Sequence, residues 1–173
     1  MWQRLVRVFK HRWQSNAATR QTIPTSLLDK LAARVEQSES GHSGEIRIYV
    51  EAAMPTSYLW LDLPMAQVVR RRALSMFGKL RVWDTQHNNG VLIYLLLVER
   101  RLEIVADRGL NNLVSVETWQ HLAKRMELAF KAGDFELGLT QAVDEVTTLL
   151  QQHFALDKLQ RNPNELPNSP VLG

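Results

Sequence analysis

A chain of 173 residues with 45% hydrophobic content is long enough for one domain with a sizeable core, and its lack of cysteine excludes a disulfide framework, thiol catalysis and cysteine-ligated metal. No run is apolar enough to span a bilayer, and the N-terminus lacks the uninterrupted apolar core of a signal peptide, so the sequence predicts a cytoplasmic protein. The net charge of +3 is unevenly placed: Arg4, Arg7, Lys10, Arg12 and Arg20 fall in the first twenty residues with no acid, which leaves the remainder net acidic.

Residues 1–20 read as a basic amphipathic helix. Trp2, Leu5, Val6, Phe9 and Trp13 recur at helical spacing, with Arg4, Arg7, Lys10 and His11 largely off that face. Such a helix packs on its own domain, on a partner protein, or on an anionic membrane surface at the inner face of the membrane. The contacts expected of it are Trp2, Arg4, Arg7, Phe9, Lys10 and Trp13. No nucleic-acid-binding motif is present, and no nucleic acid partner is expected.

Residues 24–157 carry regular elements. A helix opens at Pro24-Thr25-Ser26, with Asp29 three residues after Ser26 as in a capping box, and buries Leu27, Leu28, Leu31, Ala32 and Val35. Glu45 to Glu51 alternates Ile46, Ile48 and Val50 against polar positions, a strand with one half-polar face. Asp62 and Pro64 start a second helix with the stripe Ala66, Val69, Ala73, Met76 and Phe77, and Arg70, Arg71 and Arg72 are assigned to a solvated face.

Val91 to Val98 reads as a central strand buried on both faces. A two-residue turn at Glu99-Arg100 then pairs Val98 with Arg101 in the next strand, Leu92 with Asp107 and Gly90 with Gly109. Ser115 caps a helix that buries Trp119, Leu122, Met126 and Phe130, Gly133 stops it, and Asp134 caps a last helix running to Phe154. Residues 158–173, with three prolines and no periodicity, are predicted to be a disordered tail. A right-handed crossover makes the first two strands parallel and the third antiparallel. The expected class is α/β, a small mixed β-sheet sandwiched by helices (α/β/α) in one domain with an N-terminal amphipathic helix.

The run from Ala73 to Leu110 resembles the TPM domain family. It is carried by Ala73 and Phe77 at a helix end, Trp83-Asp84-Thr85, Asn89-Gly90-Val91-Leu92-Ile93, Glu103-Ile104, Asp107 and Gly109-Leu110, with Trp119 and the Phe135, Gly138, Leu139 region in support. The resemblance covers roughly residues 26–154 and is to the short intracellular bacterial members, since the signal peptide and membrane helix of the better-known ones are not seen. It implies a small α/β fold and two chemistries: acid phosphatase activity, attributed to a plant member, and binding of calcium or another divalent cation.

The oxygen-bearing side chains that would hold such a cation are Asp84, Asn89 and Asp107, gathered at one sheet end by the hairpin register, with Glu45 at the start of a parallel neighbour. The alternative for them is structural, Asp84 capping a turn and Asp107 pairing with Arg108 or Arg81. No catalytic residue is identified. His42 and His87, in loops near that end, are the available proton carriers, and the five histidines show no paired ligand spacing. The sequence contains no nucleotide-binding, haem or zinc-cysteine pattern. The reading favours a non-enzymatic binding or accessory module, with or without a bound divalent metal, that associates with a membrane or a protein complex; the alternative is a metal-dependent acid phosphatase.

Overall fold

The computed structural model describes residues 2–13, 16–157 and 159–173. In chain order the elements are α1 (Trp2–Arg12), α2 (Asn16–Thr22), α3 (Thr25–Glu39), β1 (Glu45–Glu51), α4 (Thr56–Leu59) and α5 (Met65–Lys79). β2 (Gly90–Leu96) and β3 (Arg101–Ala106) follow, then α6 (Arg108–Asn111), α7 (Val116–Ala132), α8 (Phe135–Phe154) and β4 (Val171–Leu172). The strands form one mixed sheet in the order β3-β2-β1-β4, with β1 parallel to β2 and β4, and β3 antiparallel to β2.

β2 is buried at every position, as its unbroken apolar run requires, because helices cover both faces of the sheet. Strand alternation sends Ile46, Ile48, Val50, Val91, Ile93 and Leu95 into a core roofed by α3, α7 and α8. Tyr49, Leu92, Tyr94, Leu96 and Val105 point the other way, into a second core under α4 and α5. Each fully buried aliphatic side chain in these layers contributes ~1.5–3 kcal/mol. The caps of α7 and α8 are those expected: Ser115 accepts from Thr118 N, Asp134 accepts from Leu137 N, and Gly133 ends α7 at φ 86°.

Five expectations need correction. Leu97–Glu99 form a 3-10 turn and Arg100 adopts the left-handed conformation, so the hairpin connection takes four residues rather than two. Val98 N donates to Ala52 O instead of continuing the ladder. The register therefore moves by two: Leu96 pairs with Arg101 and Leu92 with Val105, and Asp107 N donates to Gly90 O. The shift is even, so every side chain keeps its face. At the start of α3, the helix begins at Thr25 with Pro24 at the N-cap and no side-chain cap, so Ser26 and Asp29 form no capping box.

The arginine triplet is not a solvated face. Arg72 is buried, its Nε lies 3.1 and 2.9 Å from the two Glu51 oxygens, and Tyr94 donates to Glu51 at 2.6 Å. Arg70 bonds Ile104 O at 2.7 Å; Arg71 alone remains exposed. Two helices, α1 over Trp2–Arg12 and α2 over Asn16–Thr22, are described where one helix over 1–20 is expected.

The C-terminal segment is ordered rather than free. Asn162 Nδ2 bonds His42 O and Gly44 O, Leu166 is buried beside Tyr49 and Leu92, Arg47 reaches Pro167 O and Ser169 O, and β4 pairs with Tyr49 and Val50. Without these residues the outer edge of β1 would leave backbone donors and acceptors unpaired in a half-apolar setting, and satisfying them compensates for the ordering of a segment without periodicity. The same contacts bury the polar side of β1 that its alternation marks as half-exposed.

Candidate functional site

β1 and β2 start level, with Glu45 opposite Gly90, and Asp107 N donates to Gly90 O at 2.9 Å, so Glu45, Gly90 and Asp107 form one row across the sheet end. Alternation turns all three toward the α5 side. A Cβ on Gly90 would collide with the carbonyl of Val82, so glycine is needed for the 80–89 loop to close over the sheet. Glu45 is fully buried; Oε2 accepts from Leu166 N at 3.0 Å, while Oε1 has no partner among the described residues. Burial raises its pKa above the usual carboxylate range. Asp107 caps α6, Oδ1 accepting from Arg108 N at 2.7 Å, and its buried Oδ2 is likewise unpartnered.

Asn89 is also fully buried, but its Nδ2 reaches Ser43 Oγ at 3.3 Å, on the side of the sheet away from the Glu45 row, and its Oδ1 has no partner among the described residues. Asp84 is not brought to the row: it is exposed and ion-paired with Arg81. The Arg108 guanidinium bonds Asn88 Oδ1 rather than the Asp107 carboxylate. Among the described residues no group of three or more His, Asp or Glu side chains is placed to hold a metal ion. The row lies at the amino ends of the parallel strands, opposite the end where open α/β sheets usually bind ligands.

His42 is sealed in the interior rather than exposed in a loop. It is fully buried between Ser38 Oγ at 2.7 Å and Gly44 O at 3.1 Å, and burial lowers its pKa to about 4, so it carries no proton to offer near neutrality. His87 stays on the surface. Sequence reasoning missed Glu39, the last residue of α3, which is buried, accepts from Ile46 N at 3.3 Å, and has its pKa raised to about 8 by burial and by the neighbouring Glu45. It lies on the buried stripe of α3, four residues after Val35, and that placement of an acid at an apolar position is the signal that could have found it.

α1 is mounted in reverse of the usual amphipathic helix. Its polar side faces the domain: Arg7 Nη1 donates to Leu63 O at 3.1 Å, Lys10 pairs with Glu99 at 2.9 Å, and His11, 4% exposed, sits between Glu99 at 3.0 Å and Met54 N at 3.1 Å. Met54 N–H needs an unprotonated Nδ1, so Nε2 carries the proton toward Glu99. Val6, Phe9 and Trp13 are left 49%, 62% and 84% exposed. Of the other expected contacts, the side chains of Trp2 and Arg4 lie outside the described residues.

A model of the TPM domain matches residues 19–149, well over half of the chain. The chain belongs to the TPM domain family. This TPM domain is similar to BA42, a protein of the psychrophilic bacterium Bizionia argentinensis known from an NMR structure. The two are 28% identical with a TM-score of 0.71, over 86% of this chain and 93% of BA42. It shares its fold with the N-terminal domain of a P. gingivalis protein, also solved by NMR, at 19% identity and a TM-score of 0.55 over 76% of this chain and 80% of that one. No curated protein matches. α1 and the C-terminal strap both lie outside the matched residues. No helix among the described residues is long and apolar enough to cross a membrane.

Proposed function

We propose that this TPM-domain protein is a non-enzymatic binding module that associates peripherally with an anionic membrane surface, on its cytoplasmic side, through α1. The observation that carries the reading is the reversed mounting of that helix. Ionic and hydrogen-bonding groups, together with Val8 packed against the second core, hold it to the domain, and the apolar face carrying Phe9 and Trp13 is presented outward, where an interface can bury it. Removing an exposed Phe or Trp from water contributes ~2–3 kcal/mol each. Arg12 and Arg20, both exposed, supply positive charge close by for anionic headgroups.

The test is co-sedimentation with vesicles of phosphatidylglycerol and phosphatidylcholine against phosphatidylcholine alone. Binding is expected to the anionic vesicles only, to weaken with salt, and to vanish in a Phe9→Ser, Trp13→Ser double variant. Equal binding by the protein lacking residues 1–20 overturns the reading.

A second reading, binding of calcium or another hard divalent cation at the sheet end, is supported by three buried orphan oxygens, on Glu45, Asn89 and Asp107. Glu45 and Asp107, which share a row and a face, are the residues that would hold the ion, with Asn89 behind the strand; Asp84 is spent on Arg81. Titration calorimetry with calcium, magnesium and manganese tests it. Wild type should bind and Asp107→Asn should not; no wild-type binding at millimolar metal eliminates the site. Phosphatase chemistry is favoured by no observation beyond that cation, because the histidine nearest the row is enclosed and uncharged.

A further inference from the structure

β3 is the outermost strand on the side of the sheet away from the C-terminal strap. Asp107 N bonds Gly90 O, and antiparallel pairing alternates, so the backbone groups of Arg101, Glu103 and Val105 are the ones directed at β2. Those of Leu102, Ile104 and Ala106 face outward. Beside this edge, between α5 and α7, runs a groove of about 470 Å³ lined by Arg70, Arg101, Ile104, Trp119, Ala123 and Lys124, among others. Its floor is strand backbone, and its α7 wall repeats every four residues through Trp119 and Ala123.

Two further observations point to an occupant. Trp119 is 8% exposed and its indole N–H has no acceptor among the described residues, an unusual state for a buried Trp. Ile104 O, a carbonyl that an added strand would use, is bonded instead by Arg70 at 2.7 Å, and the Arg70 side chain is itself 43% exposed. Arg70 thus stands in for a strand donor and can swing away. The charges decide the chemistry of the occupant. Glu103 is faced by Arg70 at 3.5 Å and Glu127 by Arg101 at 3.3 Å, which leaves the Lys124 ammonium on the groove wall with no carboxylate partner among the described residues.

We infer that the β3 edge is a docking site for an extended acidic peptide segment of a protein partner, which adds as a fifth strand alongside Leu102 to Ala106. Main-chain bonds to the edge supply affinity, one peptide carbonyl accepts from the Trp119 indole, and acidic side chains meet Lys124 and the released Arg70. The chain already uses this mode at its opposite edge, where residues 171–172 add to β1. The site is separate from α1 and does not depend on membrane association.

The probe is a displayed library of random octapeptides selected against the full-length protein, followed by amide and indole chemical-shift mapping with the enriched peptides. Enrichment of Asp or Glu alternating with β-branched residues is expected, with the largest shifts at Leu102, Ile104, Ala106 and the Trp119 indole. Lys124→Glu, an exposed change that leaves the fold alone, should weaken binding about twofold to fivefold, the range for one exposed ion pair. Failure to enrich any peptide, enriched peptides whose shifts map elsewhere, or equal affinity for lysine-bearing counterparts each overturns the assignment. So does concentration-dependent shifting of the same amides in the protein alone, which would make the edge a contact between copies.

Discussion

Glu39→Gln should stabilise this protein at neutral and alkaline pH, because Glu39 is a buried acid that the fold keeps protonated. Its carboxyl is 4% exposed and its pKa stands at about 8 against 4.5 for a free glutamate, with burial the main cause and the Glu45 carboxylate next. A raised folded pKa means that the unfolded chain releases the proton first. The stability tied to this group is therefore complete below pH 4.5 and lost progressively up to about pH 8. A gap of that size corresponds to ~5 kcal/mol across the window.

Glutamine resembles the protonated acid: its carbonyl still accepts from Ile46 N, and its amide replaces the acid O–H. Urea unfolding at pH 5, 6, 7 and 8 should give variant and wild type within ~1 kcal/mol of each other at pH 5 and a variant advantage growing to ~3–5 kcal/mol at pH 8. Taking the difference between the two proteins removes the titrating groups that are not coupled to Glu39, and leaves its neighbour Glu45 in the comparison. Parallel stability curves over the whole range would refute the argument.

His42 works in the opposite direction: its folded pKa of about 4 lies below the ordinary 6.5, so its contribution is complete above pH 6.5 and is lost toward pH 4. Wild type should lose ~3 kcal/mol over that window relative to His42→Phe, read by the same titration. Arg72→Ala should cost ~3–5 kcal/mol by leaving the Glu51 carboxylate buried and unpaired, whereas Arg72→Met combined with Glu51→Gln should recover most of the loss in thermal melts. Leu166→Ala should cost ~2–4 kcal/mol and speed hydrogen exchange at Gly173 N, which donates to Val50 O, while unchanged exchange there would show that the strap is held without its apolar anchor.

What was legible in the sequence is what repeats locally. The burial of Val91 to Leu96 on both faces, the period of α8 and the caps at Ser115 and Asp134 follow from adjacent residues, and with them the layer order and strand directions. What was hidden depends on partners far along the chain. Arg72 looks like its solvated neighbours until Glu51, one strand and one loop away, gives it a buried partner. The half-polar face of β1 is enclosed by a tail about 120 residues on, whose own composition announces disorder. At the sheet end, Glu45, Asn89 and Asp107 stand out as oxygen-bearing residues at a strand start and at turns, and each has one buried side-chain oxygen without a partner among the described residues. Asp84 has the same local signature, but it stays exposed in the 80–89 loop and pairs with Arg81.

The strap also sets an order of events during synthesis. β1 and β2 can pair once the first hundred residues are available, yet the bond from Leu166 N to Glu45 spans 121 positions. Until that stretch has been translated and has closed over β1, the outer side of the strand carries open hydrogen-bonding positions over two carboxyls that have no cover. The chain is therefore open to edge-to-edge association at β1 for as long as residues 162–172 are missing or detached.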